Sequence, residues 1–214
     1  MWRYEKRLQY PVNIKEPNAG LAKLIISQYG GPDGEMGASM RYLSQRYSMP
    51  YGEQKAVLTD IGTEELAHLE MIAAIVHQLT RNLSAEELEA QGFAPYYIDH
   101  TAGLWPQAAG GIPFNACEFQ SKGDPITDLF EDLAAEQKAR TTYDNILRLV
   151  KEPDVCDPIR FLREREIVHF QRFGEALRGL QDRLDSRNFY AFNPSFDQAA
   201  APQGPGGCMR QGNA

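Results

Sequence analysis

Two Glu-x-x-His motifs, Glu65-Leu66-Ala67-His68 and Glu166-Ile167-Val168-His169, each follow a further glutamate by the same interval. Glu35 precedes Glu65 by 30 residues and Glu136 precedes Glu166 by 30, so the whole set repeats at an offset of 101. In a chain with 17 glutamates and four histidines, one such tetrapeptide carries the usual chance risk of a short motif. Two of them, each with a glutamate at matched distance, do not arise so easily. Together the halves supply four carboxylates and two imidazoles, the ligand set with which helix bundles hold a pair of metal ions between facing helices.

Both motifs fall inside apolar stripes. Leu58, Ile61, Glu65, His68, Ile72 and Ile75 follow one another at steps of three or four, as do Ile159, Leu162, Glu166, His169, Phe173 and Leu177. That period is helical, and the face it marks is the one that turns to a core. An ionised carboxylate buried there without compensation costs many kcal/mol, so it must be protonated, paired or metal-bound. Glu35, Glu65, Glu136 and Glu166 would bring a charge of −4, which two divalent cations cancel. Arg140 is the main basic side chain expected to share that role. Taken singly, each glutamate is as well explained by an exposed or salt-bridged helix position; the matched set of six is not. His77 lies nine residues past His68, on the opposite side of its helix, and His100 stands in a region without helical period, so neither joins the set. Tyr42 is seven residues after Glu35 and Tyr143 seven after Glu136, two turns on along the same face. Each is either ordinary core or a phenol that bonds a ligand carboxylate and fixes its orientation.

Residues 1–18 hold Pro11 and Pro17 and read as an extended lead-in. Leu21 to Tyr29 is apolar at helical spacing and is interrupted by Gly30-Gly31-Pro32-Asp33-Gly34. The first site-bearing helix is expected from about Asp33 to Met49 and the second from Gly52 to Asn82. Asp124-Pro125 supplies an N-cap and first-turn pair for a third, ending before Pro153; Asp157-Pro158 does so for a fourth, ending near Asp185. Residues 83–123 are too many for an ordinary connection and read as a structured crossover or a partner-binding arm. The pattern predicts an all-α fold: two helical hairpins joined by one long crossover, the ferritin-like form of the four-helix bundle, with irregular N- and C-terminal segments. One domain over 1–198 would contain it, followed by a flexible tail at 199–214 rich in Ala, Gly, Pro and Gln.

A formal charge of −7 and a pI near 5.2 argue against nucleic acid as a partner. The 214 residues suffice for a substantial core without a disulfide staple. Cys117, Cys156 and Cys208 have no C-x-x-C spacing and read as reduced thiols. The charged start, Met1-Trp2-Arg3-Tyr4-Glu5-Lys6-Arg7, leads into no apolar h-region, and no apolar run approaches the roughly 20 residues that span a bilayer. The expectation is a cytoplasmic protein with no membrane segment.

Carboxylate-rich sites with two imidazoles suit manganese or iron, and spacing does not separate the two. The wording around the ligands does. Pro32-Asp33-Gly34-Glu35, Gly62-Thr63-Glu64-Glu65-Leu66-Ala67-His68-Leu69-Glu70, Ala134-Ala135-Glu136-Gln137-Lys138-Ala139-Arg140 and Arg165-Glu166-Ile167-Val168-His169-Phe170 resemble the manganese catalases, the non-haem catalases of bacteria, over about residues 1–195. Trp2-Arg3-Tyr4-Glu5-Lys6 with Gln9-Tyr10-Pro11-Val12-Asn13-Ile14 is most similar to the short spore-coat subgroup of endospore-forming bacteria. The resemblance implies two manganese ions per chain, cycling between Mn(II)₂ and Mn(III)₂ as hydrogen peroxide is disproportionated to water and dioxygen. Carried over by position, Glu35 and His68 serve one manganese, Glu136 and His169 the other, and Glu65 bridges. The family's match to Glu166 tends to sit outside the ligand shell as a proton acceptor, so Glu166 stands as both metal and catalytic candidate, with Tyr42 beside it. The resemblance further implies a closed homo-oligomer, a hexamer, with the spore coat and its other proteins as an alternative setting to the cytoplasm. There are departures. Well-studied members carry an arginine before the third glutamate, where this chain has Ala135. Longer members carry a calcium site near the second helix, where only Asp60 remains and Ala56 offers no carboxylate. Two alternatives are a structural coat component with little turnover and a ferritin-like di-iron oxidase.

Overall fold

The first bundle helix is broken, and the break places the first ligand. In the computed structural model, which describes residue 5 and residues 7–184, α1 (Ala19–Gly30) and α2 (Glu35–Gln45) run one after the other along α3 (Gly52–Thr80). At one end Asn18 N–H donates to Leu79 O (2.8 Å); at the other Ser39 Oγ donates to Gly62 O (2.8 Å). The chain thus descends α3 from its last turn to its middle, antiparallel to it. Asn18 caps α1, its side chain accepting from Leu21 N–H at 3.1 Å, a bond worth about 1 kcal/mol to a helix end. At the break, a Cβ on Gly31 would lie 2.5 Å from Ser27 O and one on Gly34 would lie 2.8 Å from the same oxygen. Only glycine lets the backbone fold that tightly over the end of α1. The first site helix therefore begins at Glu35, two residues after the expected Asp33, and ends at Gln45, short of Met49.

The second hairpin pairs α6 (Pro125–Leu149) with α7 (Pro153–Leu184). Asp124 caps α6 as expected, accepting from Thr127 N–H at 2.9 Å, with Pro125 in the first turn. The Asp157-Pro158 start is corrected. Here α7 begins a turn earlier at Pro153, led by Glu152 O accepting from Val155 and Cys156 N–H, and Pro158 lies inside it. A proline so near the start costs only the bond to the carbonyl four residues back, so the helix runs through it.

The crossover is more helical than its composition suggests. Ser84 and Glu87 form a reciprocal capping box that starts α4 (Ala85–Ala90), and α5 (Ala94–His100) follows. A 3₁₀ turn at Ala116–Phe119 precedes α6, and an isolated bridge joins Gln107 and Pro113. Phe93 and Tyr96 are buried against their own bundle. Ile98, Leu104, Trp105 and Ile112 are the crossover's exposed large apolar residues among those described. The lead-in docks by its backbone: Gln78 accepts from Ile14 N–H and donates to Val12 O, and Arg81 donates to Ile14 O.

Two apolar clusters fill the bundle. One lies around α1, the C-terminal half of α3 and the start of α7; the other lies around Tyr42, Leu58, Leu129 and Phe173. Neither cluster contains Glu35, Glu65, His68, Glu136, Glu166 or His169, all of which are buried. No helix among the described residues is long and apolar enough to cross a membrane. The expected end of the fourth helix near Asp185, the tail at 199–214 and Cys208 lie outside the described residues; Cys117 and Cys156 are free thiols.

Candidate metal centre

Four helix segments bring the six predicted residues together, each no more than 2% exposed. Glu35 comes from the first residue of α2, Glu65 and His68 from α3, Glu136 from α6, and Glu166 and His169 from α7. Glu65 is the hub. One of its oxygens lies 2.7 Å from His68 Nδ1 and the other 2.7 Å from His169 Nδ1. Glu35 Oε2 is 3.8 Å and Glu166 Oε1 4.0 Å from His68 Nδ1, and Glu136 Oε2 is 3.5 Å from His169 Nδ1. Glu65, His68, Glu166 and His169 each offer one ligand atom within 4.8 Å of the others.

Several of these atoms lack the bonds that buried polar atoms usually make. Glu65 Oε1, both oxygens of Glu136, Glu166 Oε1 and His169 Nδ1 have no hydrogen-bond partner of normal geometry. The contact between Glu65 Oε1 and His169 Nδ1 is short yet fails as a hydrogen bond, as expected of two donors to a common third atom. Oxygen and imidazole donors without thiolate suit manganese or iron, so the residues fit a pair of such ions.

Without metal, protons supply the missing positive charge. Burial alone would strip the proton from His68, but Glu65, Glu35 and Glu64 hold it on, well above the usual imidazole range. His169 is raised in the same way, burial being outweighed by Glu65, Glu136 and Glu64. Burial opposes ionisation of Glu65, yet the two imidazoles beside it hold its carboxyl well below the usual range. Glu35 is pushed up to about 8 by burial and by the charge of Glu65. Glu166 is raised further, by burial and then by Glu35, Glu136 and Glu65.

Glu64 lies outside the predicted set of site residues. It sits on the outer side of both imidazoles, 3.0 Å from His169 Nε2 and 3.6 Å from His68 Nε2. Arg165 grips it with two hydrogen bonds of 2.8 and 3.1 Å, and Gln9 donates a third at 2.7 Å. That carboxylate orients the His169 ring by a hydrogen bond and stands as a charge beside the His68 ring, whose Nε2 has no hydrogen-bond partner; the two rings stack with centroids 5.5 Å apart. Glu64 and Arg165 are themselves related by the offset of 101, so the equivalent positions of the two halves bind each other. That coincidence was the available signal.

Arg140, expected as the counter-ion, is corrected. It lies at the surface, bonded to Asp144 at 2.6 Å and Gln137 at 2.9 Å, where its guanidinium stays hydrated. Of the two readings of the tyrosines, Tyr143 takes the one in which a phenol bonds a candidate ligand carboxylate, and each tyrosine bears on the glutamate of the other half. Tyr143 donates a short hydrogen bond to Glu35. Tyr42 is raised by burial and then by the charge of Glu136, packs on Phe173 at 4.8 Å, and its hydroxyl has no partner. Seven residues rise about 10 Å along a helix, so a phenol does not reach back to its own glutamate. At the second helix, Asp60 accepts from Arg172 at 2.6 Å, so its carboxylate already holds a cation of the chain's own.

The model of the family described as manganese containing catalase matches residues 1–193. Protein CotJC of Bacillus subtilis (strain 168) is 50% identical over 190 residues, covering 89% of this chain and 100% of that protein. A probable manganese catalase of Clostridium acetobutylicum is 32% identical over 193 residues, covering 88% of this chain and 85% of its own. The crystal structure of KatB, a manganese catalase from Anabaena PCC7120, superimposes with a TM-score of 0.78 at 30% identity, over 84% of this chain and 81% of that one.

Proposed function

The chain belongs to the manganese-containing catalase family, and we propose that it disproportionates hydrogen peroxide at a dinuclear manganese site, two peroxides giving two waters and one dioxygen. The observation that carries this reading is Glu65, whose two oxygens each lie 2.7 Å from a different histidine. A single carboxylate so placed suits a bridge, with Glu35 and His68 on one ion and Glu136 and His169 on the other. When bound, the manganese pair supplies the two-electron couple that the reaction needs.

The residues supply proton handling and order. Oxidising one peroxide to dioxygen releases two protons; reducing the second to two waters consumes two. Glu166 Oε1 faces the centre without a hydrogen-bond partner, and its burial among other carboxylates favours the protonated form. That combination suits a general base that keeps a proton between half-reactions. Glu64 holds the His169 imidazole in orientation from outside and places a charge beside His68, and Tyr143 holds Glu35.

Metal analysis of purified protein should find two manganese ions per chain, and peroxide should yield half its molar amount of dioxygen, with azide and haem controls to exclude a haem catalase. Iron with oxygen consumption would favour the di-iron alternative. A second reading, assembly as a spore-coat component with little turnover, is supported by exposed Ile98, Leu104, Trp105 and Ile112 on the crossover. An apolar patch of this kind suits contact with other copies in a closed homo-oligomer. Light scattering on Trp105→Glu and Ile98→Glu tests this; an unchanged assembly mass counts against it.

A further inference from the structure

The six site residues are sealed from solvent, so any reactant must pass through protein, and one flank of the centre is built unlike the other. Along α6, Asp128, Asp132 and Glu136 follow at single-turn steps and all are buried. Asp124, one turn earlier, is half-exposed at the helix cap. Asp128 accepts from the Lys122 and Gly123 amides at 2.7 and 3.0 Å, tying the outer end of the row to the crossover. Across from the row, α2 contributes Arg41, Tyr42 and Gln45, each 2% exposed or less. The guanidinium of Arg41 donates to Phe119 O and Glu118 O at 2.6 and 2.9 Å.

The middle of this seam has unmet hydrogen-bonding capacity. Both oxygens of Asp132, both amide atoms of Gln45 and the hydroxyl of Tyr42 have no hydrogen-bond partner of normal geometry. Burial holds the Asp132 carboxyl well above the usual range, and Gln45, placed as a donor would be, and Arg41 act against it. Buried groups that need several bonds and stand beside one another are where internal water is held.

We propose that the seam between α2 and α6 is a hydrated passage, lined by Asp132, Gln45, Arg41 and Tyr42, that admits hydrogen peroxide to the metal centre from the crossover side. The proposal rests on the catalase reading. Peroxide is neutral, small, and both donor and acceptor, as a lining of carboxylate, amide, phenol and guanidinium requires. A divalent cation would meet the buried charge of Arg41, so metal entry is disfavoured here. The opposite flank is lined more thinly: beside Tyr143 only Gln28 is buried with both amide atoms unpartnered, and no carboxylate or guanidinium joins it at the equivalent positions. At the offset of 101, Arg41, Gln45 and Asp132 correspond to Thr142, Ile146 and Gly31, and the hydroxyl of Tyr143 is committed to Glu35.

The test has two arms. A high-resolution crystal structure of the metal-free protein should show at least two ordered waters bonded among Asp132, Gln45 and Tyr42; direct pairing of Asp132 with Arg41 in a dry seam overturns the proposal. In steady-state kinetics, Asp132→Leu, which closes the lining, should retain both manganese ions and lose about tenfold or more in kcat/KM, with kcat at saturating peroxide within about threefold. Asp132→Asn keeps a polar lining and should stay within about threefold in kcat/KM. Equal losses in the two variants, or no loss in Asp132→Leu, overturn the passage. Manganese-loaded wild type that evolves no dioxygen sinks the catalase reading instead, and the crystallographic arm then decides the seam: ordered water supports it and a dry seam refutes it.

Discussion

The two halves of this molecule carry the same ligands on the same spacing, yet they meet the centre differently. In the first half Glu35 opens a short helix just after a glycine break and is bonded by Tyr143; in the second Glu136 lies deep within an unbroken α6, with both oxygens free of hydrogen bonds. Tyr143 is bonded and Tyr42 is not. Where the halves join, the related residues are an acid and a base, Glu64 and Arg165, bound to one another. An internal repeat can thus conserve a ligand set while the surroundings diverge, because only the ligands answer to the metals.

The ligands offer the sharpest way to break that equivalence. His68→Ala and His169→Ala should each lower bound manganese from about two per chain towards one or none, with losses of about 100-fold or more in affinity, measured by metal analysis after dialysis. If one variant keeps full metal and turnover, its half is not a ligand half. Glu166→Gln should keep both ions while peroxide turnover falls by roughly 10²-fold, as removal of a general base does. Loss of one manganese from that variant would make Glu166 a ligand and the halves more alike than proposed. Glu64→Gln reaches both halves at once. It should weaken binding of the two ions together by about tenfold to 100-fold, seen by competition with a chelator, since it loosens the His169 ring and removes the charge beside His68.

A change of pH distinguishes the protons from the metals they stand in for. Glu35 keeps its proton in the folded, metal-free protein up to about 8, against 4.5 when unperturbed. Between those values the folded state binds more protons than the unfolded state, so stability falls as pH rises. His68 and His169 act in the same sense: raised above the unfolded value of 6.5, their contribution is full below it and is lost as pH climbs through the folded values. Metal binding needs these groups deprotonated, so manganese affinity should rise with pH. Thermal melts from pH 5 to 8 should therefore slope down for the metal-free protein and up for the loaded one; parallel slopes would contradict this account. The smallest effect separates the tyrosines. Tyr143→Phe in metal-free protein should cost about 2 kcal/mol, having removed a bond to a buried carboxyl, whereas Tyr42→Phe, which removes at most a bond to internal water, should cost about 1 kcal/mol or less.

Much of this was legible in order along the chain. The hairpins, the length of the crossover, the Asp124 cap and the six site residues all follow from spacing, because helical period is a local property and one turn repeats the last. Ser84-x-x-Glu87 was also legible as a capping box, although the glycine- and proline-rich context around it reads as irregular. The start of α7 was misplaced because two prolines five residues apart each satisfy a first turn, and only the packing of Val155 and Cys156 into the core selects Pro153.

Sequence by itself determined the set of candidate ligands, their pairing into halves and the class of fold, since each depends on intervals along the chain. The tertiary structure decided which residue faces which across helices. It placed Glu64 behind both imidazoles, turned Tyr143 to the glutamate of the other half, left Arg140 at the surface and drew Arg41 inside. The reason is physical: a helix fixes the direction of a side chain only to a face, while the partner met there depends on the register between helices, which the apolar core sets as a whole.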